Sequence, residues 1–455
     1  MRKSRSRFSP VAIVLFLLII AAIGGFLAWR QTAPGVQATL ATPLTHLGLK
    51  SSVTLSLSVA RGGIEAVELR LVQKDKTTAV AQENFTPPVP TRTLTLTVDG
   101  KALGLKEGPG VLAVTARDSY WRPFGAKERP VLSQPVTVDL TPPALEVLSV
   151  TQYVHQGGGG LVVYRVKGAK RSGVTLGDMA FPGTSGFGQD SSVFLALFAF
   201  PYDASPATPL LLTAEDEAGN LATRTVNAQF LPKKFPTDTV KITEAFLRQK
   251  LPELLPGSTF GNGEPLLEGF LRANREKRKE ADERIQAVTR ETEAKPLWDG
   301  VFVAQKNAKV FSNFAERRTY LFEGKAVDSQ VHMGYDLAST RESPVTAGNR
   351  GKVILAEPLT IYGNTVILDH GLGLATLYGH LSRIDVKVGQ LAEKGEVIGR
   401  SGATGLAIGD HLHFTVLIHG IPVTPLEWWD AKWIRDHITL PLETAGLSLQ
   451  VKSER

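Results

Sequence analysis

Short runs in which apolar and polar residues alternate dominate the first half of the chain. Ser52-Val53-Thr54-Leu55-Ser56-Leu57-Ser58-Val59 and Thr93-Leu94-Thr95-Leu96-Thr97-Val98 repeat every two residues, the period of a strand with one buried face. Asp99-Gly100 after the second run is a turn signal. Val114-Thr115-Ala116-Arg117-Asp118 returns as Leu212-Thr213-Ala214-Glu215-Asp216, 98 residues later, close to the roughly 100 residues of a two-sheet sandwich. Two β-sandwiches are expected, over residues 41–140 and 141–231, with loops at the glycines of 157–160 and 181–188. They carry no titratable cluster, which fits a spacer that holds another domain or touches a partner.

From about Thr237 the period lengthens. Residues 243–251 predict a short helix ended by Pro252, and 264–292 a longer one. In the latter, Leu267, Phe270, Leu271, Ala281, Ile285 and Val288 lie near one stripe, interrupted by Asn274 and Arg278. We read 237–297 as a solvated helical connector. Strand-like runs then return at 366–368, 375–378 and 412–416, with Gly371 and Gly373 at turns. A mostly antiparallel β domain is expected over 300–430, followed by a C-terminal extension, 431–455.

The amino terminus follows neither pattern. Arg2, Lys3, Arg5 and Arg7 precede 19 uncharged residues, 11–29, and a helix of that length nearly spans the roughly 30 Å of a bilayer's hydrocarbon. The basic side stays cytoplasmic, so residues 1–30 predict a single-pass inner-membrane anchor with the bulk in the periplasm or extracytoplasmic space. The run exceeds a signal-peptide core, and Trp29-Arg30-Gln31 offers no small-residue cleavage site. The anchor also accounts for most of the net charge of +7: beyond residue 30 there remain 46 basic against 44 acidic residues. No basic stripe with interleaved aromatics is left to suggest nucleic acid as a partner. The chain has no cysteine, so each domain relies on an apolar core and any metal site on His and carboxylate groups.

Seven of the nine histidines follow residue 330. His332, Asp336 and His413 can supply the two imidazoles and one carboxylate that suit zinc, a hydrolytic zinc site needing three protein ligands and one position for water. His411 and His413, two apart, project from one face of a strand about 7 Å apart. His332 and Asp336, four apart, would share one side of a strand or helix turn, and Gly334 between them disfavours the helix. His370 fits a structural role, and His419 and His437 are expected to be exposed.

These residues carry a resemblance. His332-Met333-Gly334-Tyr335-Asp336-Leu337, Tyr378-Gly379-His380-Leu381-Ser382 and Thr404-Gly405 through His411-Leu412-His413-Phe414 resemble, in order, the motifs of the lysostaphin/LytM-type zinc endopeptidases. Gly363 through Gly371 and Val388 through Gly399 also fit. The resemblance implies a LytM-type domain with His332, Asp336 and His413 as metal ligands and His380 and His411 as catalytic residues. It implies zinc as cofactor and peptidoglycan as substrate, cut at stem peptides or cross-links by a metal-activated water. No ligand is missing, as it is in non-catalytic relatives that bind the wall or activate other hydrolases, the alternative reading. The sequence departs from the family at Ala338 through Pro344, where relatives carry a short Pro/Gly turn. Upstream, Val138-Asp139-Leu140-Thr141-Pro142-Pro143 and Glu215 through Asn220 resemble tandem bacterial Ig-like domains, which could contact envelope protein partners.

Overall fold

A helix of 22 residues, Pro10–Gln31, buries none of its side chains and is long and apolar enough to cross a membrane. The computed structural model describes residues 9–448 except 75, 126–127, 259 and 261–264. Arg2, Lys3, Arg5, Arg7, the start of the expected 264–292 helix and the end of the C-terminal extension lie outside the described residues. The chain divides into two compact units, Met1–Pro143 with Glu215–Leu221, and Ala144–Ala214 with Ala222–Arg455. Apart from the membrane-type helix, both are mainly β.

In the first unit the alternating pattern does what its period requires. Strand Lys50–Ser58 turns Val53, Leu55 and Leu57 inward. It pairs antiparallel with Thr91–Asp99 so that Val53 faces Leu96 and Leu55 faces Leu94. This sheet of three and a sheet of five share one apolar core that includes Leu55, Ile64, Leu69, Val98, Leu112 and Val114. Burying each such aliphatic side chain contributes about 1.5–3 kcal/mol.

In the second unit, strands Gly158–Lys167 and Val193–Phe200 are buried along nearly their whole length, because they are covered on both faces. Their core continues without a break into Trp298, Phe302, Phe314 and Trp428 of the C-terminal region. Residues 144–214 and 222–231 are therefore packed onto that region. The glycines of 158–160, expected in a loop, begin the strand instead. A Cβ at Gly158 would collide with the Glu427 carboxylate, and one at Gly159 would sit 2.5 Å from Ile418 Cδ1. Glycine here lets those side chains lie directly against the strand's backbone.

The C-terminal region is built on an eight-stranded antiparallel sheet. Its order is Lys309–Ser312, Tyr335–Ala338, Leu412–Ile418, Leu374–Leu381, Asn364–Gly371, Gly351–Pro358 and Leu391–Ala392, with Ile421–Val423 paired to Leu412–Ile418. Strand parity separates its faces: Leu374, Tyr378, Phe414 and Val416 join the aromatic core, whereas Ala375, Leu377 and Leu417 point to the other side.

That other side is covered by the segment read as a solvated connector. Leu247, Leu251, Phe270, Ala281 and Ile285 pack on Leu355, Ile367, Leu377 and Leu417, so these helices bury a full apolar face. Glu244–Leu254 runs two residues past Pro252. The longer helix contains a π-helical turn, Ala273–Lys277, at the residues that interrupt the stripe. Asn274 is fully buried there, donating to Asp328 Oδ2 and accepting from Arg278 Nη2. The extra residue of the π turn shifts the phase of the stripe and brings Ala281 and Ile285 back onto the sheet. Ahead of the helices, Thr237–Ile242 adds a parallel strand to Glu316–Phe322, which pairs antiparallel with Lys325–His332.

Candidate metal centre

His413 shares strand parity with Thr415 and Leu417, so it lies on the helix-covered face of the sheet, near its end. Asp336 is directly opposite it on one neighbouring strand and Gly379 on the other. His332 ends strand Lys325–His332, and the chain turns at Met333-Gly334 before Asp336. His332 and Asp336 thus meet from two strands across a turn, not from one side of a single strand. A Cβ on Gly334 would lie 2.5 Å from Thr415 Oγ1 and 2.6 Å from His413 Cε1, so only glycine lets the turn close over His413.

The three side chains converge tightly. His332 Nε2 is 2.9 Å from Asp336 Oδ1 and 3.0 Å from His413 Nδ1, and His413 Nδ1 is 3.0 Å from Asp336 Oδ1. The outer nitrogens reveal which atoms carry protons. His332 Nδ1 donates to the Asn313 carbonyl at 3.0 Å. Thr415 Oγ1 donates its proton to the Met333 carbonyl, so it accepts from His413 Nε2 at 3.0 Å. With those N–H groups committed, His332 Nε2 and His413 Nδ1 both present lone pairs to a carboxylate oxygen. Three acceptors this close repel one another unless a cation lies among them, and two imidazoles with one carboxylate are a donor set suited to zinc. All three residues are buried, and together they could hold a divalent metal.

Two more imidazoles border the site. His380 Nδ1 donates to the Thr404 carbonyl (2.8 Å) and His411 Nδ1 to the Gly409 carbonyl (2.7 Å), so the backbone holds Nδ1 of each ring and not Nε2. Their rings lie 4.8 Å apart, and His380 is 5.7 Å from His413. Regular alternation would put His380 on the face of Tyr378; its φ of +62° breaks the alternation. A left-handed conformation costs a non-glycine residue roughly 1–2 kcal/mol, and such strain concentrates at functional sites. His411 sits just before strand Leu412–Ile418, bridged to Gly402, with Nε2 3.5 Å from Asp336 Oδ1. The structure thus brings together His332, Asp336, His380, His411 and His413.

Burial and charge act on these groups in different directions. Burial opposes the charge of Asp336, but the imidazoles around it, His332 foremost, hold its carboxyl well below the usual range. Burial pushes His413 down to about 4 and, with the neighbouring imidazoles of His411 and His413, pushes His380 well below the ordinary histidine value. Burial also works against a charge on His411, yet its hydrogen bond to the Asp336 carboxylate raises it.

Several residues that complete the site carried no recognised signal. Arg318 donates from Nη2 to Asp336 Oδ2 at 2.8 Å and from Nε to Glu316 Oε1 at 3.1 Å, leaving Asp336 Oδ1 to face His332 and His413. Its spacing of two from Glu316 places both on one strand face, a cue available in the sequence. Thr415, two residues from His413, follows the same rule. The wall of the cleft had no such cue: a cavity of about 460 Å³ over the site is lined by Asp238, Lys241, Phe246, Phe270 and Arg278 opposite 406–410. His370 is fully buried and bonded at both nitrogens. His419 and His437, expected to be exposed, are half-buried. Burial pushes His419 down to about 4, and His437 stacks on Trp433 with Nε2 donating to the Tyr153 carbonyl.

The C-terminal part of the chain is similar to known proteins. The profile of peptidase family M23 matches residues 330–425. The chain is 36% identical over 119 residues to the peptidoglycan DD-endopeptidase ShyB of Vibrio cholerae, covering 26% of this chain and 27% of that protein. It is 39% identical over 97 residues to the DD-carboxypeptidase/endopeptidase Mpg of Neisseria meningitidis, covering 21% and 22%. Among solved structures, the catalytic domain of lysostaphin from Staphylococcus simulans aligns at 28% identity and a TM-score of 0.25, over 28% of this chain and 98% of that one. The chain spans about a quarter of the length of the curated relatives it matches. Residues 330–425 of this protein are a peptidase family M23 domain.

Proposed function

We propose that the protein is a zinc metalloendopeptidase that hydrolyses peptide bonds in peptidoglycan stem peptides or cross-links, held to the bacterial inner membrane by helix Pro10–Gln31 with its bulk outside the cytoplasm. One observation carries the reading: two bare imidazole nitrogens and a carboxylate oxygen within 3.0 Å of one another, beside two further imidazoles held by the backbone through Nδ1 alone. The naming of ShyB as a peptidoglycan DD-endopeptidase supports the substrate class. Residues 41–140 and 141–231 are read as Ig-like modules that position the peptidase and could meet envelope proteins. The domain limits 237–297, 300–430 and 431–455 belong to the same reading.

His332, Asp336 and His413 would hold the metal, and Arg318 engages Asp336 Oδ2 so that Oδ1 faces the two imidazoles. Zinc bound there supplies a Lewis acid that lowers the pKa of water to about 7 and polarises a peptide carbonyl. His380 and His411 flank the reacting bond. Each is fixed by its Nδ1–H, so each acts through Nε2. His380, kept neutral, accepts the proton of the attacking water. His411, whose protonated form the Asp336 carboxylate favours, stabilises the developing oxyanion and returns a proton to the leaving amine.

Metal analysis of the purified full chain, combined with digestion of purified peptidoglycan, tests the reading. Bound zinc and new amino termini are expected. Zinc without new termini would instead leave a wall-binding or hydrolase-activating protein, and a chain that takes up no zinc would end the metal assignment.

A further inference from the structure

The end of the membrane-type helix is tied to one loop of the first β unit. Arg30 Nε donates to the Trp121 carbonyl at 3.3 Å, and its guanidinium lies 4.1 Å from the Tyr120 ring centre and 5.4 Å from that of Trp121. Phe124 N–H donates to Gln31 Oε1 at 3.1 Å. Arg61 stacks on Trp29 at 4.3 Å. A helix of 22 residues is about 33 Å long, close to the roughly 30 Å hydrocarbon layer. Its last turn, Trp29 to Gln31, therefore falls at the membrane surface, and whatever touches that turn lies at the same depth.

The loop has the composition such a depth requires. Among the described residues of 32–143, Trp121 and Phe124 are the only large apolar side chains that are exposed, at 56% and 81%. In water two neighbouring exposed aromatics on one loop are a cost. At a bilayer interface Trp and Tyr are enriched and Phe packs among acyl chains, while Arg side chains reach headgroup phosphates. The carboxylate nearest the loop, Asp118, is neutralised by Arg122 at 2.7 Å, with both side chains only 6% exposed.

We propose that loop 119–125 is a membrane-surface foot: Trp121 and Phe124 enter the headgroup layer of the bilayer that helix Pro10–Gln31 spans, with Arg30 and Arg61 at the level of the phosphates. The inference rests on reading that helix as an anchor. Its consequence is two attachments to the bilayer in place of one, so the first β unit does not swivel freely about the helix.

The absence of cysteine makes the test clean. Full-length F124C, I20C and K101C are each labelled with an environment-sensitive fluorophore and reconstituted in vesicles of phosphatidylethanolamine and phosphatidylglycerol. Position 101 lies in the loop preceding strand Gly108–Asp118, at the opposite end from 119–125. The label at 124 is expected to emit at shorter wavelength than the label at 101 and to lose most of its intensity to lipid spin-labelled near the headgroup. The label at 20 should be quenched by lipid spin-labelled near the chain end, and the label at 101 by neither. Quenching at 20 with a label at 124 that behaves like that at 101 would overturn the foot and leave the anchor standing. A label at 20 that no lipid quenches would overturn both.

Discussion

The C-terminal region buries histidines in two places, and their surroundings differ in one decisive respect. His370 is fully buried, with Nδ1 donating to the Arg350 carbonyl at 2.8 Å and Nε2 bonded to Thr376 Oγ1 at 2.7 Å. Its hydrogen-bonding needs are met by the protein. His332 and His413 are almost as buried, at 7% and 3% exposure, but each has only its outer nitrogen served and turns the other toward Asp336. A satisfied imidazole is part of the core; a pair of imidazoles with facing lone pairs calls for a cation. Clustering of histidines in the sequence does not separate these cases, and the partner of the second ring nitrogen does.

Breaking the cationic side of this comparison has the largest expected effect. H332A, D336N or H413A should lose zinc and, with the several kcal/mol of charge stabilisation the ion supplies, lower peptidoglycan cleavage by more than about a thousandfold. Metal content and release of new amino termini measure both. Chelation of the wild type should reproduce the loss, and added zinc should reverse it.

H380A and H411A should keep zinc yet lose roughly 10²–10⁴ in turnover, the range for a positioned proton-transfer group. Loss of metal from either would move that residue into the ligand set. A smaller effect is expected for R318Q, which frees Asp336 to rotate: zinc affinity should weaken about 10–100-fold, with partial recovery in R318K. Equal zinc affinity in R318Q and wild type would remove Arg318 from the site.

The smallest effect on the site belongs to His370. Burial pushes it down to about 4 from an ordinary value of 6.5. Between those values the unfolded chain binds the proton and the folded one does not. Stability therefore falls as pH drops from about 6.5 to 4, by up to about 3 kcal/mol for this group. H370Q should unfold more easily at neutral pH, show a flatter acid dependence in thermal unfolding, and bind zinc as the wild type does.

Much of this arrangement could be read along the chain. A period of two announced strands such as Lys50–Ser58 because one face of each meets water and the other does not. The His-x-Gly-x-Asp spacing was informative because Gly334 leaves room for His413 where any Cβ would collide. The helical segment was recognised from its stripe, but its burial was not, since an amphipathic helix looks alike whether its apolar face meets a sheet or another partner. Asn274 and Arg278 seemed to spoil the stripe; they bond each other across a π turn that no residue pattern announced. The glycines of 158–160 looked like a loop because the side chains that exclude a Cβ there, Glu427 and Ile418, lie more than 250 residues away in the chain.

Local chemistry and the family resemblance together were enough to single out the five residues that the fold brings together, because such groups and the backbone turns that aim them recur at short, readable spacings. Long-range packing alone settled which nitrogen of each ring is bare, that Arg318 claims the second oxygen of Asp336, and that Asp238, Lys241, Phe246, Phe270 and Arg278 wall the cleft. A lone pair's direction depends on the carbonyl or hydroxyl that meets the opposite nitrogen, and those partners, Asn313, Thr404, Gly409 and Thr415, come into place only when the strands close.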